Sequence, residues 1–465
     1  MKRICFGAFV VWVYLAGAAV VLGAPGGASG ATSAGPQTSS DTLYLSVADA
    51  VQYALRDGVE AAIVRQDVRA AEAQVGVALS YALPSIDLGA TYSRNLKKPV
   101  IFFEIENEVQ TFEIGEDNAY NAGLSLRQTL WASGRVSSGY KMAKERAAAA
   151  GMAGDDAAAT IAREVRASYY YALLAGRQNE IARRSLDQAE QNVAQITARV
   201  ERGVAPEFDR LRAQVTVANR KPILTRTMNG EAIALESLKR LIGVPLDRPM
   251  VLLDSLIYIP FEQTQEEVVE RALAERKDLA AVRSEAMASE HQYRAQAAND
   301  RPLLYLDGSL AWQGQTSDGM WPGDREQAKS AAVGLTFAWP LLDGFRNKYE
   351  TRAAEAAMER ARLQVSQVED LIRLEVRSNW ADVNSIADEI EGARQAVDVA
   401  REAYAIAQVR YQTGLSTLVE LLDVEVALIE TEVNLSGTLY RYNVALAQLE
   451  YSIGEGPRLE EQNGE

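Results

Sequence analysis

No proline stands between Pro99 and Pro206 or between Pro340 and Pro457, and both stretches are rich in Ala, Glu, Gln and Arg. Those residue types cost a helix little, and without proline nothing in either stretch forces a break. From about Val136 to Arg202, and again from about Phe345 to Gln412, the sequence therefore predicts a continuous helix of about 100 Å at about 1.5 Å per residue. A compact domain has no room for such rods. Gly203 and Gly414 stand where a helix C-terminus wants glycine, and a returning helix is predicted after each, over Glu207 to Ile242 and Thr417 to Ile453. In the last of these Leu428, Leu435, Leu439, Tyr442, Leu446, Leu449 and Ile453 step by seven, four and three, which is a coiled-coil seam. Pro222 is expected to kink the first returning helix, and its counterpart Val433 is not.

The two rods belong to a tandem repeat. Val51, Ala54 and Leu55 fall on Val269, Ala272 and Leu273 at an offset of 218. Gly123-Leu124, Glu164-Val165-Arg166, Arg199, Gly203 and Leu211 fall on Gly334-Leu335, Glu375-Val376-Arg377, Arg410, Gly414 and Leu422 at an offset of 211. Leu238, Ile242 and Gly243 meet Leu449, Ile453 and Gly454 at the same offset and close each half at the same point. The first repeat is bounded at 44–243, a Pro-containing linker at 244–262 and the second repeat at 263–454, with an acidic tail at 455–465.

Within each half the hydrophobic period changes from 3.6 to 2 and back. Ile86, Leu88, Ala90 and Tyr92 alternate with polar or small residues, as do Leu124, Leu126 and Leu130. The second half repeats this with Leu304, Leu306, Leu310 and Trp312, then with Val333, Leu335, Phe337 and Trp339. Four strands of about nine or ten residues match the length that crosses an outer membrane at a tilt. Trp131, Trp312, Trp321 and Trp339 lie at or near strand ends, where an interfacial girdle would place them. Four strands cannot close a barrel alone, because the smallest ordinary membrane barrels have about eight, and an open edge in lipid strands backbone groups. The chain is therefore expected to oligomerise.

Composition narrows the chemistry. Lys and Arg total 48 against 63 Asp and Glu, a formal net charge of −15, which argues against a nucleic-acid partner. One Cys and one His leave too few ligands for a zinc site, a Cys/His nucleophile or a haem pocket, and no phosphate-cradling loop or nucleophile elbow occurs. No enzymatic activity and no cofactor are expected. His291 reads as an exposed helical histidine. Glu104, Glu106, Glu108, Glu113 and Glu116 read as a solubilising acidic loop. At the N-terminus, Met1-Lys2-Arg3, an apolar run from Ile4 to Leu22 and a small-residue exit read as a signal peptide over 1–24, the alternative being a membrane anchor. A Gly/Ala/Ser/Thr-rich leader follows over 25–43.

The duplicated order of helix, strand, loop, strand, long helix, Gly turn and returning helix resembles the TolC-type outer-membrane efflux proteins over nearly all of the chain beyond the leader. The most specific stretch runs from Arg410-Tyr411-Gln412-Thr413-Gly414-Leu415-Ser416-Thr417 through Glu420 to Asp423, with a looser partner from Arg199 through Gly203-Val204 to Asp209. The resemblance implies a mixed α/β membrane protein. It would be a homotrimer whose twelve-stranded outer-membrane β-barrel, four strands per chain, is continued by a long antiparallel α-helical coiled-coil barrel in the periplasm. It further implies a passive exit duct for efflux or type I secretion, docked to a periplasmic membrane-fusion adaptor and, through it, to an inner-membrane pump. Loops 94–118 and 313–330 would face outside.

By the same resemblance, Arg199, Gly203, Val204, Arg410, Gly414 and Leu415 are adaptor-docking positions. Glu420 and Asp423 are three apart on one helix face and would form stacked acidic rings at the pore constriction. Tyr411 and Asp209 match gate-linking positions, whereas Ser416 stands where the family often has a latching arginine. A different class, a periplasmic coiled-coil adaptor or scaffold without a pore, is distinguished by its having no need of a lipid-facing band.

Overall fold

The computed structural model describes residues 42–105, 108–317, 321–323 and 327–459. The expected signal peptide, all but the end of the leader, Glu106 and most of the acidic tail lie outside the described residues.

Each repeat begins with two short helices. In the first, Ser46 and Asp49 form a reciprocal capping box that starts α1 (Val47–Asp57), and α2 (Val59–Ser80) follows across Gly58. In the second, Thr264 and Glu267 do the same for α5 (Gln265–Glu275), and α6 (Lys277–Ala297) follows across Arg276. The repeat order read from the sequence has one helix where there are two. Just before them, β1 (Leu43–Leu45) pairs in parallel with β6 (Met250–Leu252), so the inter-repeat linker contributes a strand and the expected leader gives way to structure at Leu43.

The long helices are continuous. α3 (Arg135–Glu201) and α7 (Arg346–Gln412) have 67 residues each, about 100 Å at about 1.5 Å per residue. α4 (Glu207–Leu241) and α8 (Leu418–Ile453) return along them. α4 passes through Pro222 without interruption, although proline has no N–H for the Ala218 carbonyl.

The helices meet in clusters that follow the repeat. Ile161, Val165, Tyr169, Leu238 and Ile242 pack with α1 and β1, while Ile372, Val376, Val383, Leu449 and Ile453 pack with α5. Tyr169 and Trp380 are repeat equivalents, and they perform one task with different chemistry. The Tyr169 hydroxyl donates to the Leu45 carbonyl at 2.9 Å, and the Trp380 indole donates to the Gln263 carbonyl at 3.0 Å. Each ties a long helix to the chain entering its repeat.

The strands β2 (Ser85–Arg94), β5 (Asn118–Trp131), β7 (Leu303–Thr316) and β8 (Gln327–Ala338) form one antiparallel sheet in that order, so β2 and β8 are its edges. They have 10, 14, 14 and 12 residues, mostly longer than the periodicity indicated. Between β2 and β5 the expected loop holds a hairpin, β3 (Val100–Ile105) with β4 (Glu108–Glu113).

The register sorts the two faces of the sheet. Leu88, Leu124, Leu310 and Ala331 lie in one row across all four strands, and Ile86, Leu126, Gly308 and Val333 in the next row on that face. The intervening rows hold Asp87, Ser125, Ser309 and Ala332, and Ser85, Arg127, Asp307 and Gly334, with Arg127 Nε 2.9 Å from Asp307 Oδ1. Trp131 and Trp339 mark the helix-proximal end, and Trp312 stacks on Trp321 at 5.6 Å toward the other. No described helix is long and apolar enough to cross a membrane.

Candidate functional site

Both rods end the same way. At the first turn Val204 N–H donates to the Arg199 carbonyl at 3.0 Å and Gly203 N–H to that of Val200 at 2.9 Å. At the second, Leu415 donates to Arg410 at 2.8 Å and Gly414 to Tyr411 at 3.1 Å. This is the Schellman pattern, which needs a left-handed residue at its centre, and Gly203 (φ +70°) and Gly414 (φ +79°) supply it. Thr417 then caps α8, its hydroxyl accepting from Glu420 N–H at 3.3 Å. Val204 and Leu415 stand exposed at the turns, two apolar side chains projecting from the ends of the hairpins.

Behind the turns the hairpins pack on one another through Ile196, Ala213, Ala407, Leu418 and Leu421. Arg199 reaches across, its guanidinium 5.0 Å from the Tyr411 ring centroid and donating to the Tyr411 carbonyl at 3.2 Å. The Tyr411 hydroxyl is buried with no hydrogen-bond partner, and burial, then Asp209, raise its pKa against the pull of Arg199. Tyr411, Arg199 and Asp209 are thus brought together. Ser416 makes no polar side-chain contact within this chain, its buried Oγ having no partner either. Arg410 bends back on its own turn, donating to the Leu415 carbonyl at 3.4 Å. Glu420 and Asp423 point outward, exposed on one face of α8.

Farther from the tips lies an ion pair that the sequence reading missed. Arg220 of α4 meets Glu425 of α8 at 2.5 Å, both side chains under a tenth exposed, and the same Nη1 donates to the Ser185 carbonyl of α3 at 2.6 Å. The nearby Tyr404 phenol is pushed up to about 12 by burial and then by Glu425, with Arg220 opposing. One heptad on, Glu432 accepts from Arg184 of α3 at 3.2 Å and from Arg401 of α7 at 3.0 Å. The signal for both was available. From Leu418, positions 421, 425, 428, 432, 435 and 439 continue the three-and-four spacing of the α8 seam, so Glu425 and Glu432 occupy seam positions, where a charge needs a partner. His291 is half-buried rather than exposed, with its Nδ1 shielded and unpartnered. Among the described residues no His, Cys, Asp and Glu group could hold a metal ion.

Known proteins of this architecture match both repeats. The sequence profile described as outer membrane efflux protein matches residues 59–244 and 268–455. The chain is 26% identical over 294 residues to the alkaline protease secretion protein AprF of Pseudomonas aeruginosa, covering 62% of this chain and 60% of that one. It is 23% identical over 221 residues to outer membrane protein TolC of Vibrio cholerae, covering 47% and 50%. It thus matches these two curated relatives over half to three-fifths of their lengths. The fold superposes on the Campylobacter jejuni CmeC outer membrane channel with a TM-score of 0.74 at 18% identity, covering 90% of this chain and 87% of that one. With its profile matched in both halves of the duplication, the chain belongs to the outer membrane efflux protein family.

Proposed function

We propose that this chain is the exit duct of a tripartite efflux or type I secretion assembly, passive and gated, with three copies closing a twelve-stranded barrel. The observation that carries this reading is the four-stranded sheet with one apolar face, one polar face and two unpaired edges. In water such a face would be a liability. In lipid it is the outer surface of a barrel, provided that copies of β2 and β8 from neighbouring chains pair and leave no open edge. A coiled-coil scaffold has no use for it.

The rods, about 100 Å long at about 1.5 Å per residue, then form the walls of a periplasmic cylinder, and the turns at Gly203 and Gly414 are its closing tip. The exposed Val204 and Leu415 beside Arg199 and Arg410 are the surface offered to a membrane-fusion adaptor, through which an inner-membrane pump supplies the energy. Glu420 and Asp423, exposed on α8, would make two acidic rings around a threefold axis and hold cations at the constriction. The name of AprF, an alkaline protease secretion protein, favours a polypeptide cargo over a small molecule.

The test is the mass of the particle extracted from outer membranes in detergent, measured by light scattering corrected for bound detergent. Three copies support the closed barrel, and single-channel recording follows. A monomer or dimer that washes off without detergent sinks the duct.

A further inference from the structure

We propose that the buried Arg220–Glu425 pair is the positioning contact that holds the two hairpins of one chain in register and so restrains opening of the duct, an inference that rests on the duct reading. Its geometry differs from that of every other charged contact described at this end of the molecule. Arg220 belongs to the first hairpin and Glu425 to the second, and the guanidinium nitrogen that meets Glu425 also donates to the Ser185 carbonyl of α3. Along α4 and α8 the two lie about 20 and 10 Å from the starts of those helices at about 1.5 Å per residue. They are therefore near enough to the turns to control them, yet shielded from solvent. Arg184 on Glu432 also joins the hairpins, whereas Arg401 on Glu432 stays within the second, and both of those arginines are half-exposed and can exchange their partner for water.

The tip itself carries no comparable restraint among the described residues. Ser416 Oγ and the Tyr411 hydroxyl are buried without partners, and the contact between Arg199 and Tyr411 runs through a ring face and a carbonyl rather than an opposite charge. Two hairpins packed by Ile196, Ala213, Leu418 and Leu421 could slide over one another, because apolar contact specifies no register. A buried charge does specify one, since each ion is tolerated only where the other meets it. Glu425 has a second oxygen, Oε2, buried and unpartnered, so the carboxylate is held by Arg220 alone.

Removing one charge leaves the other buried and uncompensated, and the way to relieve it is to part the hairpins and admit water. Glu425→Gln and Arg220→Gln should each raise the open fraction of the full-length protein in planar bilayers by about tenfold or more. The double variant, Arg220→Gln with Glu425→Gln, should return toward the wild-type value, because no buried charge is left. If the single effects multiply in the double variant, or if none of the three differs from wild type, the pair is ordinary packing and the proposal falls. Should Glu425→Gln not assemble, Glu425→Asp keeps the charge and shortens its reach, and is expected to raise the open fraction by a smaller factor. Wild-type protein that forms no pore at all would instead remove the duct reading, and the latch with it.

Discussion

The Arg199 guanidinium lies over the Tyr411 ring at 5.0 Å and binds that residue's carbonyl, joining the end of one repeat's rod to the end of the other's. The phenol hydroxyl takes no part in the contact. Tyr411→Phe should therefore be close to neutral for stability and gating, since it removes a buried hydroxyl that has no partner. Arg199→Ala should cost about 1–2 kcal/mol through one hydrogen bond and one cation–π contact, read as a lower urea midpoint and a leakier channel. Equal effects from the two substitutions would assign the contact to the hydroxyl after all.

The glycines that end the long helices face different surroundings. At Gly203 nothing lies within 4 Å of an added Cβ, so Gly203→Ala should cost only the left-handed backbone, about 1–2 kcal/mol. At Gly243 (φ +75°) the same Cβ would stand 2.6 Å from the Asp57 carbonyl oxygen at the end of α1. Gly243→Ala should lower the melting temperature by clearly more than Gly203→Ala, as followed by far-UV circular dichroism.

Asp156 sits beside Tyr451 and the Arg276 cluster, where Arg276 binds Asp278 and Glu375 at 2.7 and 2.6 Å. Burial, then the charge of Asp278, raises its pKa above the ordinary carboxylate value, against the pull of Arg276. A carboxyl whose pKa is higher in the folded than in the unfolded state binds its proton more tightly when folded, so its charged form costs stability at neutral pH. Asp156→Asn should melt higher than wild type at neutral pH, and its advantage should shrink as the pH falls through the raised pKa. A pH-independent difference would mean that the charge is not the cause.

Glu420→Gln with Asp423→Asn should weaken block of the channel by divalent cations, raising the blocking concentration roughly tenfold, because the two side chains share one exposed face of α8. Unchanged block would remove the acidic rings while leaving the duct intact.

Much of this molecule can be read from one dimension because its dominant signals are local. The rods follow from the absence of proline, their ends from Gly203 and Gly414, and the strands from period-two alternation. The duplication doubles each signal: α3 and α7 begin and end 211 residues apart, as the matched pairs in the sequence do. One addition that escaped notice, β1 paired with β6, joins short pieces that lie a whole repeat apart in sequence.

At the candidate site the division is sharper. The turn glycines, the cap at Thr417 and the shared face of Glu420 and Asp423 are properties of one helix and its ends, so residue order alone determined them. Whether Arg220 meets Glu425, whether Tyr411 uses its ring or its hydroxyl, and whether Ser416 finds a partner depend on how two hairpins lie side by side. Sequence periodicity places a charge on a seam, but only tertiary packing decides which charge answers it, because the energy of a buried ion is set by its surroundings and not by its neighbours in the chain.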